Sequence, residues 1–102
     1  MKLLTKEIKS RLPPLYANEN TPTKDVVAHV KFFTPDGNWT WYVTEFDGQD
    51  MLFGLIDGFD KELGYISLSE LQSVRGPLGL PIERDMYWTP KTLGEIAPEL
   101  YP

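Results

Sequence analysis

The sequence predicts an α+β fold: an antiparallel meander of four to five strands with short flanking helices. Three features carry that expectation. Residues 39–46 alternate aromatic and β-branched side chains, which suit a pleated, half-buried surface. Runs of similar character lie on either side, at 26–34, 51–56 and 64–68, separated by Gly-, Asp- and Pro-containing turns. Helix-like segments bracket these runs, each with a Ser or Thr where a cap belongs. At 102 residues, 41% hydrophobic and 25% charged, the chain is of a size and composition for one domain, residues 1–102, with a single core.

Residues 2–12 read as the first helix. Leu4, Ile8 and Leu12 recur at i, i+4 and i+8, Lys2, Lys6 and Lys9 lie opposite, and Thr5 is placed to cap. Pro13-Pro14 ends it. Residues 15–24 are polar and proline-punctuated, a surface loop. In the first strand, 26–34, Val26, Ala28, Val30 and Phe32 form the cleaner core face.

The turn at 34–38 leads into the tryptophan strand, with Trp39, Trp41 and Val43 on one face and Thr40, Tyr42, Thr44 and Phe46 on the other. A strand apolar on both faces belongs in the centre of a sheet, covered on both sides. Asp47-Gly48 suits a type I′ turn. Gly54, in the otherwise apolar third strand, marks a bulge or a place where a side chain such as a tryptophan crosses the backbone.

After the fourth strand, Ser67-Leu68-Ser69-Glu70 matches a capping box, with Leu68, Leu71 and Val74 facing inward and Gly76-Pro77 as the stop. Residues 77–81 are a stiff connector, and 82–88 alternate as a fifth strand. Thr89-Pro90 and Thr92 to Glu95 resemble helix starts, and Pro98 ends the last helix.

The composition excludes several functions. Without cysteine there is neither a disulfide, nor a thiol nucleophile, nor a thiolate metal site, and His29 is the only histidine. No apolar run reaches the roughly 20 residues of a membrane-spanning helix. The start of the chain has the basic character of a signal peptide without its apolar stretch, so a cytoplasmic location is expected. The net charge of −5 disfavours a general duplex binder. Lys and Arg outnumber Asp and Glu six to four in residues 1–41, whereas acids outnumber bases eleven to four in residues 42–102.

Three stretches carry a resemblance across nearly the whole chain: KLLTKEIKSRLPPLY (2–16), HVKFFTPDGNWTWYVTEFD (29–47) and GYISLSELQSVRGPLGLPIERD (64–85). They resemble a family of small bacterial proteins catalogued as a domain of unknown function, often encoded on plasmids and integrative conjugative elements. The resemblance implies a bacterial mobile-element setting and assigns no activity.

Two candidate sites follow from the residues. Arg75, Glu83, Arg84 and Asp85, near a Gly/Pro-rich connector, have the charge to take a partner's carboxylate or phosphate, or to form a structural ion-pair network. The expected role is therefore a non-enzymatic binding module acting on a protein partner, with no cofactor, no metal and no membrane contact; the oligomeric state is left open. The alternative is single-stranded nucleic acid stacked on Trp39, Trp41 and Tyr42, with Lys31 on the neighbouring strand. The acids at 45–62 sit mostly at turns, where Asp is favoured for backbone reasons, and lack the spacing of a calcium loop.

Overall fold

The computed structural model describes residues 2–102. Among the described residues three α-helices, α1 (Lys6–Arg11), α2 (Leu68–Ser73) and α3 (Leu93–Ile96), and one 3-10 turn (Thr23–Asp25) accompany seven strands. The strands are β1 (Val27–Ala28), β2 (Val30–Phe33), β3 (Thr40–Phe46), β4 (Met51–Asp57), β5 (Lys61–Ser67), β6 (Glu83–Arg84) and β7 (Lys91–Thr92). The main sheet is antiparallel throughout, in the order β5-β4-β3-β2-β6, and β1 pairs separately with β7. The expected four-strand meander is therefore present, with β6 added as a fifth strand beside β2.

Both faces of the sheet are covered. On one face Trp41, Val43, Leu52 and Ile66 pack with Leu3, Leu4 and Leu12 from the N-terminal segment and with Leu68 and Leu71 of α2. On the other, Leu55 packs with Val26, Ala28, Leu93 and Ala97, flanked by Tyr42 and Trp88. Val26, Ala28, Val30 and Phe32 are all buried, as their alternation predicts, but they do not share one face. The strand breaks at His29, so the first pair joins the β1–β7 side and the second pair joins the helix side.

Local chemistry explains most element ends. Thr5 caps α1 by accepting from the Ile8 N–H, and Thr92 and Glu95 form a reciprocal capping box on α3. Ser67 caps α2, but the reciprocal carboxylate is Asp50, which accepts from the Ser69 N–H and from both serine hydroxyls; Glu70 does not fill that role. The first helix is shorter than expected, with Leu4 and Leu12 buried just outside it. α2 ends at Ser73, ahead of Gly76, and Val74 is exposed rather than inward.

Three further expectations change, and the connector at 77–81 gains its geometry. The Asp47-Gly48 turn is not type I′, which needs two positive φ angles. Only Gly48 has one there, and Asp47 Oδ1 instead accepts from the Gln49, Asp50 and Met51 N–H groups. Residues 77–81, the stiff connector, close as a turn: the Gly76 N–H donates to the Leu80 carbonyl at 2.8 Å, and Gly79 adopts φ 82°. The fifth strand stops at Arg84 because Asp85 turns the chain, its carboxylate accepting from the Tyr87 N–H and its carbonyl from the Trp88 N–H. No helix starts at Thr89-Pro90, which lead into β7.

The tryptophan strand carries the largest departure. Its register slips between Val43 and Glu45, a β-bulge that lies opposite Gly54 on β4. Past the slip Phe46 joins Trp41 and Val43 in the helix-side core, rather than sitting with Tyr42. No tryptophan crosses Gly54. A Cβ there would meet the Tyr42 carbonyl and, at 3.0 Å, the Val43 Cα; the Trp39 ring lies over Gly58 instead. Backbone cannot swing aside as a side-chain tip can. Gly54→Ala is accordingly expected to lower the unfolding free energy by about 3 kcal/mol in urea titration. Gly64→Ala, whose Cβ meets only the Ile56 Cδ1 at 3.2 Å, should cost under about 1 kcal/mol.

Candidate functional site

A cleft of about 290 Å³ opens between α1 and the segment that follows β6. Thr5, Glu7, Ile8 and Arg11 form the helix wall, His29 and Val30 the floor, and Arg84, Asp85, Met86, Trp88 and Pro90 the far wall. The ends of the sheet place these groups together. The break at His29 leaves that residue half-buried, the β2–β6 pairing brings Arg84 opposite Phe32, and the turn at Asp85 swings Met86 and Trp88 around.

Two basic groups face each other on the α1 side. Burial, and then the Arg11 charge, hold the His29 imidazole below its ordinary pKa, so the neutral ring is favoured. Across the cleft, Trp88 donates from Nε1 to the Ala28 carbonyl at 3.1 Å, which fixes its ring. Lys31 and Lys91 lie 5.6 Å and 5.1 Å from the Trp88 ring centre, so the indole meets two cations. Lys31 also approaches Asp85 Oδ2 at 3.8 Å.

The four charged residues singled out from the sequence are not one constellation. Arg84 Nη1 donates to the Lys2 and Leu3 carbonyls at 2.6 Å and 3.0 Å, and so ties the N-terminal segment across the sheet edge. Arg75 turns back onto α2, donating to the Gln72 and Val74 carbonyls. Glu83 stands opposite Phe33 in β6, and Asp85 faces Lys31. Only Arg84 and Asp85 line the cleft.

The aromatic set divides between the two faces. Trp39 and Trp41 stack at 6.0 Å on the helix side, and Trp41 is buried. Tyr42 and Lys31 lie on the opposite side with Trp88. Burial, then the Asp57 charge, raise the Tyr42 phenol above its usual pKa, so it stays protonated. Among the described residues no three acidic or histidine side chains converge as metal ligands, and no helix is long and apolar enough to cross a membrane.

Against this geometry stands one family match. The model described as protein of unknown function (DUF2958) matches residues 3–96. The chain belongs to this family. No curated protein and no solved structure matches it. In this DUF2958 protein the matched region takes in both walls of the cleft.

Sequence reasoning missed Arg11, Met86 and Trp88 as cleft residues. Arg11 had the signal of a basic residue at a helix end. The other two were hidden by reading residues 82–88 as a continuous strand.

The His29 shift has a direction that can be measured. The folded pKa lies below the unfolded value near 6.5. The unfolded chain therefore binds more protons as pH falls below about 6.5, and stability drops there. His29→Gln is expected to flatten the melting temperature between about pH 6.5 and 5, ahead of carboxylate titration. An unchanged slope in that window would assign the acid sensitivity elsewhere.

Proposed function

We propose that this protein is a non-enzymatic binding module that works through protein contacts, in the cytoplasm of a bacterium and within the setting of a mobile element. The observation that carries the reading is the pair Met86 and Tyr87, 68% and 94% exposed, on the turn beside the cleft. Most polar groups around the turn already have partners within the chain, so a large thioether and a large ring are what it presents to solvent. Exposed side chains of this kind at the mouth of a cleft suit a partner's anchoring contacts. Arg11 and Glu7 on the opposite rim supply polar contacts at the edge. The bacterial and mobile-element setting rests on the resemblance alone.

A second reading, single-stranded nucleic acid, is favoured by Phe59. It is 95% exposed and meets Trp39 edge-on at 5.3 Å, beside a hollow of about 290 Å³. Asp60 and Glu62 on that hollow's rim work against phosphate.

One capture experiment separates the readings. Purified wild-type protein, Met86→Asp/Tyr87→Asp and Phe59→Asp are each exposed to bacterial lysate, with retained protein and nucleic acid both quantified. The binding-module reading expects a protein held by wild type and by Phe59→Asp, depleted about tenfold or more on the double variant, with the same ranking after the partner is purified. Nucleic acid lost only with Phe59→Asp supports the second reading. Equal retention on all three contradicts both.

A further inference from the structure

The two edges of the main sheet differ sharply. β6 is two residues long and is flanked by the Asp85 turn and the Arg84 anchor. β5 is seven residues long and pairs continuously with β4 from Lys61 to Ser67, without a bulge or a proline. Sheet edges are normally blunted by shortening, proline or bulges. β5 has none of these, and its two charged residues, Lys61 and Glu62, stand together at its start, leaving Leu63 to Ser67 uncharged.

The direction of its backbone groups follows from the register. The Leu68 N–H donates to the Asp50 carbonyl, while the Asp47 N–H donates to the Met51 carbonyl on the other side of β4. Even-numbered positions of β5 therefore bond to β4. Lys61, Leu63, Tyr65 and Ser67 aim their N–H and C=O groups outward, and among the described residues no backbone bond from any loop reaches them. On one face of the sheet the same edge carries exposed Leu63 and Tyr65, with Phe53 5.1 Å from the Tyr65 ring. With Tyr16 they border a hollow of about 270 Å³.

We propose that β5 is a self-complementary edge that pairs antiparallel with β5 of a second copy of this chain, about a two-fold axis through Gly64. That axis sets Leu63 against Tyr65 of the second copy and Lys61 against its Ser67, and uses all seven residues. A shift of two residues in either direction shortens the overlap. All four outward-facing positions then fall in hydrogen-bonded pairs. Gly64 meets Gly64 in the closer, non-hydrogen-bonded spacing, where no side chain obstructs.

Each Leu–Tyr pair is a favourable cross-strand contact, and no like charges stand opposite one another. Lys61 brings no unpaired charge to the seam, because its ammonium donates to Glu99 of its own chain at 2.7 Å. This register is what favours a second copy over an unrelated extended peptide. The inference is independent of the cleft, since β5 and β6 are opposite edges of the sheet.

Sedimentation equilibrium of the full chain from about 10 µM to about 1 mM tests it. Wild type, and equally Met86→Asp/Tyr87→Asp, should show a reversible dimer. Leu63→Lys/Tyr65→Lys puts lysine against lysine and should weaken association about tenfold or more. Leu63→Lys/Tyr65→Glu puts lysine against glutamate in the same register and should restore it. A wild type that stays monomeric overturns the proposal, as does a dimer unaffected by the paired lysines. If the lysine pair does not fold, the Lys/Glu variant decides: folded and monomeric, it overturns the proposal, and dimeric, it supports it. A dimer that forms while lysate capture fails would leave β5 pairing standing and the binding-module reading refuted.

Discussion

The Glu45 carboxylate is the interaction on which much of the remaining architecture depends. It is 6% exposed, and both of its oxygens have donors: the Tyr16 N–H at 2.7 Å and Asn18 Nδ2 at 2.8 Å. A buried carboxylate without such partners costs several kcal/mol or neutralises. The β-bulge after Val43 turns Glu45 to where those donors lie. Its other consequences are local and mutually consistent. Thr44, 1% exposed, satisfies its hydroxyl on the Phe53 carbonyl, and the Phe46 N–H donates to the Pro13 carbonyl at 2.9 Å. The chain leaving α1 is thereby stitched to the bulged strand. Tyr16 adopts φ 70°, a left-handed conformation that costs a non-glycine residue about 1–2 kcal/mol and that the Glu45 bond offsets.

With residues 13–18 held there, the sheet is covered on both faces and its chemistry moves to the edges. At the β6 edge, Arg84 and the Asp85 turn close the sheet and create the cleft, with exposed Met86 on its wall and exposed Tyr87 beside it. At the β5 edge no backbone bond from another segment closes it among the described residues. A small domain covered on both faces has its rims left for recognition, and here the two rims are of different kinds: one offers side-chain anchors, the other a backbone ladder. The two proposed partners, an unrelated protein and a second copy, would therefore not compete for the same surface.

The meander was legible because period-two alternation and turn chemistry are local signals. Thr5, Ser67 and Thr92 were readable as caps for the same reason. The bulge was legible only in part: Gly54 marked its place in the sheet, but the strand that slips is the one opposite, β3. Thr40 to Phe46 alternates without interruption in sequence, so nothing within β3 says where its register slips, and the close backbone approach at Gly54 is what separates a bulge from a crossing side chain. Arg84 was visible as a charged residue, but its acceptors are the carbonyls of Lys2 and Leu3, about 80 positions away and without side-chain identity. That Lys31 and Tyr42 do not share a face with Trp39 and Trp41 was already contained in the alternation, since 39 and 41 share a face that 42 does not. The cleft itself depends on where residues 85–88 turn, and an Asp side chain accepting from its own chain decides that.

Amide hydrogen exchange read residue by residue tests the central place of Glu45 most directly. The bulge account expects the Tyr16 and Phe46 amides to exchange nearly as slowly as those in the centre of β3, because one donates to a buried carboxylate and the other to the Pro13 carbonyl. It also expects Glu45→Gln to release Tyr16 toward loop-like exchange. If Tyr16 in the wild type already exchanges as fast as its neighbours at 17–21, Glu45 does not hold the segment, and the account of how the sheet is covered fails.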